Sequence, residues 1–324
     1  MSVSIIIPTF NRLSLLIETI ENLLKQTISP DEIIVVDNGS TDGTSDYVNR
    51  FYHDRIILTD CSIKSPGAAR NKGYEISTGK YIQFLDSDDI MTHNKIEVQI
   101  KVIKGSDKGL VYSPYVHVTK NDSENIWLQE DVILQHIPIP LNKTLHQCMV
   151  KGFFTIIPGF LFDRNFLKEL GTWREDISAY EDWDYLWRIG NLCPNPPHTN
   201  ECCYFYRVHG QQTTGTNFND RQRDIQKIRV FHELYKQYVE SDPKLTLSEK
   251  SFFKAQILSS MKQSGFEKID EGLYTEYSDS KTKLASSYLR MESKINRIIT
   301  GSDWQIIHGI CKSKEQFEEY LKII

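Results

Sequence analysis

The sequence predicts an α/β fold built on a mostly parallel sheet, and three observations carry that prediction. Short apolar runs rich in β-branched residues recur through the N-terminal third of the 324-residue chain. Segments with the periodicity of amphipathic helices separate them. Two of the runs end directly in acidic residues, at Asp37 and at Asp86 to Asp89.

Ser4–Ile7 and Glu32–Val36 are continuous apolar runs of the kind that form strands buried on both faces. Between them a helix is expected, capped at Asn11, with Leu13, Leu16, Ile17, Ile20 and Leu24 on one face. A strand over Arg55–Leu58 and a helix over Ala68–Ile76, stopping near Thr78-Gly79, come next. Lys80–Leu85 then reads as a strand running into Asp86-Ser87-Asp88-Asp89. This alternation implies right-handed crossovers, and ligands of such sheets sit beyond the carboxyl ends of the strands.

A helix over Asn94–Ile103 and a strand near Leu110–Val118 follow, and then the pattern loosens. Residues 121–150 contain Pro138 and Pro140 and read as an insertion or lid. Order resumes with Phe153–Phe162, a helix over Arg164–Leu170, a helix from Glu181-Asp182, and a strand over Tyr204–Val208. The expected division is a sheet-bearing region over residues 1–218 and a helical C-terminal region over 219–324.

Composition narrows the function. The formal net charge of −5 argues against nucleic acid as a main partner, because phosphate neutralisation needs clustered Lys and Arg. The six cysteines show no metal-ligand spacing and read as reduced thiols, which makes a cytoplasmic protein the expectation. No apolar run approaches the roughly 20 residues that span a bilayer, so any membrane contact is expected to be peripheral. The C-terminal helices are close to charge-neutral, which favours a packing or homo-oligomer role over lipid docking.

The acidic turn is the most informative motif. Three carboxylates within four residues, after an apolar strand, repel one another unless a cation joins them. A divalent metal bridging carboxylate to diphosphate is the usual solution, and a solvated turn capping the next helix is the plain alternative. Three further segments stand in order around it: Pro8-Thr9-Phe10-Asn11-Arg12 closes the first strand, Val36 to Thr44 (VDNGSTDGT) closes the second, and Gly67 to Gly73 (GAARNKG) opens a helix. Together these segments resemble a family 2 glycosyltransferase of the GT-A fold over roughly residues 1–210, and the order of the elements makes the resemblance specific.

That resemblance implies a nucleotide-binding sheet flanked by helices, with the helical C-terminal extension added. It also implies a metal-dependent, inverting transfer of a sugar from a nucleotide diphosphate to an acceptor hydroxyl. UDP is the expected nucleotide, with GDP or dTDP as alternatives, and the acceptor is expected to be a saccharide or glycolipid of polysaccharide synthesis. Pro8, Thr9 and Asn11 would lie along the nucleotide, Asp37 would accept from a uracil ring N–H, and Arg70 would line the pocket. Asp86 and Ser87 would face the ribose side, Asp88 would bind Mn2+ or Mg2+, and Asp89 would act as a helix cap or supporting residue.

Ala179 to Tyr185 (AYEDWDY) resembles the family's ED motif. An inverting transfer needs a carboxylate that takes the acceptor proton. Asp182 is the expected base with Glu181 beside it, and spacing alone does not separate these from Asp184. Tyr206 to Thr214 (YRVHGQQTT) resembles the segment that closes the site, with His209 as a further metal ligand. Arg207 would serve either the diphosphate or a core carboxylate. Trp127, Trp173 and Trp183 are candidates for stacking on sugar, and Pro158-Gly159-Phe160 for close approach of the acceptor. Parts of 121–150 or 209–217 would order over the donor.

Other readings are weaker. A sugar-phosphate nucleotidyltransferase needs a glycine-rich loop where Pro8 to Arg12 stand, and a dinucleotide enzyme needs a GxGxxG that the chain lacks. A catalytically inactive nucleotide-sugar-binding scaffold is the non-enzymatic alternative.

Overall fold

The computed structural model describes residues 2–121, 126–134, 138–151, 153–177, 179–210, 221–266 and 270–279, with single positions 282, 283 and 285 beyond. The N-terminal half builds β1 (Val3–Thr9), α1 (Leu13–Leu23), β2 (Glu32–Asp37), α2 (Thr44–Phe51), β3 (Ile57–Asp60), α3 (Pro66–Ile76) and β4 (Tyr81–Phe84). Next come β5 (Ile90–Met91), α4 (Lys95–Lys104), β6 (Leu110–Tyr112), β7 (Tyr115–Asn121), β8 (Ile126–Leu134) and α5 (Leu145–Met149). The remainder holds β9 (Phe160–Asp163), α6 (Arg164–Leu170), α7 (Glu181–Leu192), β10 (Tyr204–Val208), α8 (Arg221–Leu234), α9 (Leu247–Ser264) and α10 (Glu271–Glu276).

The main sheet has six strands in the order β3-β2-β1-β4-β9-β6. The first four are mutually parallel, and β9 runs antiparallel to both of its neighbours. A second sheet, β5-β10-β7-β8, stands beside the carboxyl end of β4. Strands β1, β2 and β4 are buried on both faces, as apolar parallel strands require, while the edge strand β3 stays partly exposed. Val3, Ile5, Ile7, Ile33 and Val35 pack with α1 and α4 on one side, and Ile6, Ile34 and Val36 pack with α3 and α7 on the other. Gly73 lets α3 lie against β1, since a Cβ there would stand 2.3 Å from Cγ2 of Ile6.

Several boundaries differ from the sequence reading for local reasons. Asn11 does not cap α1: it has a positive φ of 51° and its side-chain oxygen accepts from the Thr41 amide at 2.7 Å. Arg12 occupies the cap position without a capping bond, and the carboxylate of Asp42 accepts the Leu13 amide instead, at 2.9 Å. The third strand begins at Ile57 rather than Arg55, because the Arg55 and Ile56 amides both close on the Tyr52 carbonyl at 2.9 Å. The apolar stretch 110–118 is two strands in two sheets, divided at Ser113-Pro114. Pro114 has no N–H to donate, but its carbonyl accepts from Tyr204 at 3.1 Å and so starts the second sheet.

Within 121–150, β8 forms an antiparallel pair with β7, and α5 opens on a capping box between Thr144 and Gln147. The C-terminal helices join the core through aromatic side chains: Phe231 of α8 lies 4.7 Å from Trp183, and Phe253 of α9 lies 5.6 Å from Trp187.

Candidate active site

The carboxyl end of β4, the start of α7 and the end of β10 converge, and three arginines lie among their carboxylates. Arg70, on α3, reaches two of them: Nη2 meets Asp86 at 3.0 Å and Nη1 meets Glu181 at 2.7 Å. Its guanidinium also lies 4.5 Å from the Trp173 ring centroid, an added attraction from the ring face. Arg70 thus ties the acidic turn to the start of α7, residues 111 apart in sequence from Glu181. Burial works against its charge, but Asp86 and Glu181 outweigh it and raise its pKa. Asp86 itself is raised, first by burial and further by Asp88 and Glu181, against the opposing charge of Arg70.

Asp88 is held differently. Its Oδ2 accepts from Nη1 of Arg12 and lies 3.1 Å from Nε2 of His209, while that same Arg12 nitrogen is 3.2 Å from the imidazole. Burial opposes ionisation of Asp88, but the His209 hydrogen bond and the Arg12 charge prevail and lower its pKa.

Asp89 turns away from the other two. The Tyr204 hydroxyl donates to it at 2.5 Å and the Arg207 amide at 2.7 Å. Burial, and then the charges of Asp88 and Asp86, push its carboxyl well above the usual range. Arg207 is fully buried, and donates to the Asp88 carbonyl, to Glu18 at 2.5 Å, to the Leu15 carbonyl at 3.0 Å and to Thr19 at 2.9 Å. The carboxylate that the Arg207 side chain pairs with is Glu18, itself 44% exposed, so its partner is not a core carboxylate.

At the start of α7 the three acids separate. Glu181 is held by Arg70, and Asp184 is buried and paired with Arg188 at 2.8 Å one turn on. Asp182 has no ion pair among the described residues; the Trp183 amide donates to it at 2.9 Å. Burial first, and the adjacent charge of Glu181 second, push its carboxyl up to about 7. Tyr180, just before, has a positive φ of 66°, which is strained for a side chain of that size.

The remaining expected positions are spread along the parallel strands. Thr9 is buried at the end of β1, and its hydroxyl has no hydrogen-bond partner among the described residues. Asp37 is buried and accepts from the Ser40 amide at 2.9 Å and from Ser45. Pro8 pairs with Val36, Asn11 is exposed, and the Ser87 carbonyl accepts from Thr19 at 3.1 Å.

One aromatic expectation changes. Trp173 lies beneath Arg70, 3% exposed and stacked on Tyr185 at 3.8 Å, so it is core and offers no face to a sugar. Trp183 keeps partial exposure while packing on Phe154 and Phe231. The Trp127 side chain and the segment 211–217 lie outside the described residues.

Sequence reasoning gave no role to Arg12, and Tyr204 and Thr19 escaped notice. Their partners lie far along the chain, and only the position of Arg12 at the end of the first motif offered a signal.

Among the described residues no three His, Cys, Asp or Glu side chains gather into a ready metal site. Asp88 and His209 nevertheless offer one carboxylate oxygen and one imidazole nitrogen at 3.1 Å. That donor pair fits an ion completed by diphosphate oxygens and water.

A sequence profile described as Glycosyl transferase family 2 matches residues 4–171, a span that ends before Glu181, Asp182 and His209. An Escherichia coli protein named UDP-Glc:alpha-D-GlcNAc-diphosphoundecaprenol beta-1,3-glucosyltransferase WfaP is 29% identical over 72% of this chain and 89% of its own length. Two uncharacterized glycosyltransferases from Rickettsia bellii and Rickettsia felis are 38% and 40% identical, but the chain spans only 18% and 28% of their lengths. Staphylococcus aureus TarS in complex with UDP-GlcNAc superposes with a TM-score of 0.58 at 14% identity, covering 100% of this chain and 90% of that one. A Pyrobaculum calidifontis mannosyltransferase with GDP-Man and Mn2+ gives 0.55 at 16%, covering 99% and 86%. The architecture is therefore that of GT-A glycosyltransferases, and the chain belongs to glycosyl transferase family 2.

Proposed function

We propose that this protein transfers a sugar from a nucleotide diphosphate, UDP foremost, to a hydroxyl of a saccharide or glycolipid acceptor, with inversion at the anomeric carbon. The observation that carries the reading is the separation of the three α7 acids: two are bound by arginines, and Asp182 is left with a carboxyl poised near neutral pH. A general base works best with a pKa near the working pH. Asp182 takes the acceptor hydroxyl proton as that oxygen bonds to the anomeric carbon, and the bond from that carbon to the diphosphate oxygen breaks with its electrons leaving on the nucleotide. Glu181, fixed by Arg70, keeps Asp182 charged with difficulty and so keeps it basic.

On the donor side, Asp37 and the Thr9 hydroxyl, which has no partner among the described residues, stand at the carboxyl ends of β2 and β1, where a nucleotide of an open α/β sheet lies. Asp88 and His209 would hold Mn2+ or Mg2+, which when bound supplies positive charge to the leaving diphosphate. A lipid-diphosphate-linked sugar is the first acceptor class to examine, because the E. coli relative is named for one. No helix among the described residues is long and apolar enough to cross a membrane, so such an acceptor would be met at the membrane surface.

Titration calorimetry of UDP, GDP and dTDP, with and without Mn2+, tests the donor half. One nucleotide is expected to bind at least tenfold more tightly with Mn2+, and Asp88→Ala is expected to abolish that gain. Failure of all three nucleotides to bind would remove the enzymatic reading and leave a scaffold.

A further inference from the structure

Of the three arginines among the carboxylates, two are built in. Arg207 is fully buried with acceptors on α1 and the acidic turn, and Arg70 bridges Asp86 and Glu181 while resting on Trp173. Arg12, about as buried as Arg70, differs in the atoms it touches. It sits at the end of the β1–α1 turn, and a single nitrogen of its guanidinium touches both Asp88 Oδ2 and His209 Nε2. Those are the two atoms that would ligate an ion. The side chains of all three are 11%, 15% and 13% exposed, so little water screens the pair.

We infer that Arg12 is an internal cation that competes with the divalent metal for Asp88 and His209, and that the donor diphosphate releases it. Two cations cannot share one carboxylate oxygen and one imidazole nitrogen without strong repulsion. The guanidinium must therefore leave before an ion enters, and leaving costs it a poorly hydrated ion pair unless a new anion receives it. A diphosphate provides that anion, because its oxygens accept the planar donor fork in pairs. Arg12 thus makes metal binding conditional on the nucleotide and then serves as a second cation on the phosphates. The protein is expected to bind metal and donor as a unit, and to hold little metal alone. This rests on the metal assignment of Asp88 and His209 proposed above.

The test is Mn2+ binding, followed by loss of the free-ion electron paramagnetic resonance signal, on wild type, Arg12→Gln and Arg12→Lys, with and without UDP. Wild type is expected to bind Mn2+ at least tenfold more tightly with UDP than without. Arg12→Gln is expected to bind Mn2+ alone at least tenfold more tightly than wild type, to bind UDP more weakly, and to lose most of the coupling between them. Arg12→Lys keeps a cation without the fork and should fall between, which also guards against a folding defect in the glutamine variant. Wild type that binds Mn2+ with UDP, beside an Arg12→Gln protein that binds Mn2+ alone no better, would overturn the competition and leave the metal site standing. Absence of Mn2+ binding in every protein, with and without UDP, would overturn both.

Discussion

The acidic turn after β4 and the first turn of α7 both crowd three carboxylates into four residues, yet different forces hold them. Asp86, Asp88 and Asp89 are fixed by arginines, a tyrosine and a backbone amide drawn from α3, from β10 and from the residue just before α1. Helix α7 is fixed from behind by packing. Trp187 is fully buried, stacked on His146 at 4.4 Å with a 7° tilt and enclosed by Phe253 and Tyr238. Gly190 makes room for that stack, since a Cβ there would meet His146 Nε2 at 2.4 Å. The acidic turn therefore depends on charge balance, whereas α7 adds to its ion pairs at Glu181 and Asp184 a support that depends on volume.

The sharpest way to probe this contrast is at the one α7 acid that neither force has captured. Asp182→Asn is expected to lower kcat by roughly 10²- to 10⁴-fold. UDP affinity should stay within about threefold, because no donor-side group among the described residues touches Asp182; calorimetry beside a donor-consumption assay checks both. Retained turnover would remove Asp182 as base.

Next in size is the packing behind α7. Trp187→Ala should cost about 3–5 kcal/mol of stability through the cavity it leaves, measured by denaturant unfolding. Metal-dependent UDP binding by the folded fraction should change little. An equal loss of UDP affinity would mean that the two halves are not separately supported.

The smallest effect is in pH. With the Asp182 carboxyl at about 7, kcat/KM should climb with pH through that value and level off above it. Stability runs the other way. The folded state holds the Asp182 proton more tightly than the unfolded chain, whose value is 3.8, so this group's contribution is full below 3.8 and is lost as pH rises to about 7. Asp182→Asn should flatten that decline, and an unchanged stability profile would assign the rise to another group.

The parallel half of the fold was legible because the β1 and β2 runs are continuous and apolar and periodic helices separate the strands. The positions of Asp86, Asp88, Glu181 and Asp182 followed from strand ends and a helix start, which are local features. What was not legible depends on long closures. The division at Ser113-Pro114 is hidden inside an apolar stretch, and only the arrival of Tyr204 beside Pro114 makes it a change of sheet. Arg12 gained a role from residues 76 and 197 positions away, and Trp173 lost one because Arg70 and Tyr185 cover it.

Strand β10 is the last strand among the described residues, yet it lies between β5 and β7. A ribosome delivers Asp89 long before its side-chain partners, since the Tyr204 hydroxyl and Arg207 amide that hold it follow by 115 and 118 residues. Until they emerge, a growing chain can assemble the parallel strands but has no means to draw Asp89 out of water. Asp89 then stays hydrated and charged while the parallel strands mature. Completion of the pocket is thereby timed to the end of synthesis of the sheet-bearing region, and a nascent chain stalled before Tyr204 would carry an open, unreactive acidic edge.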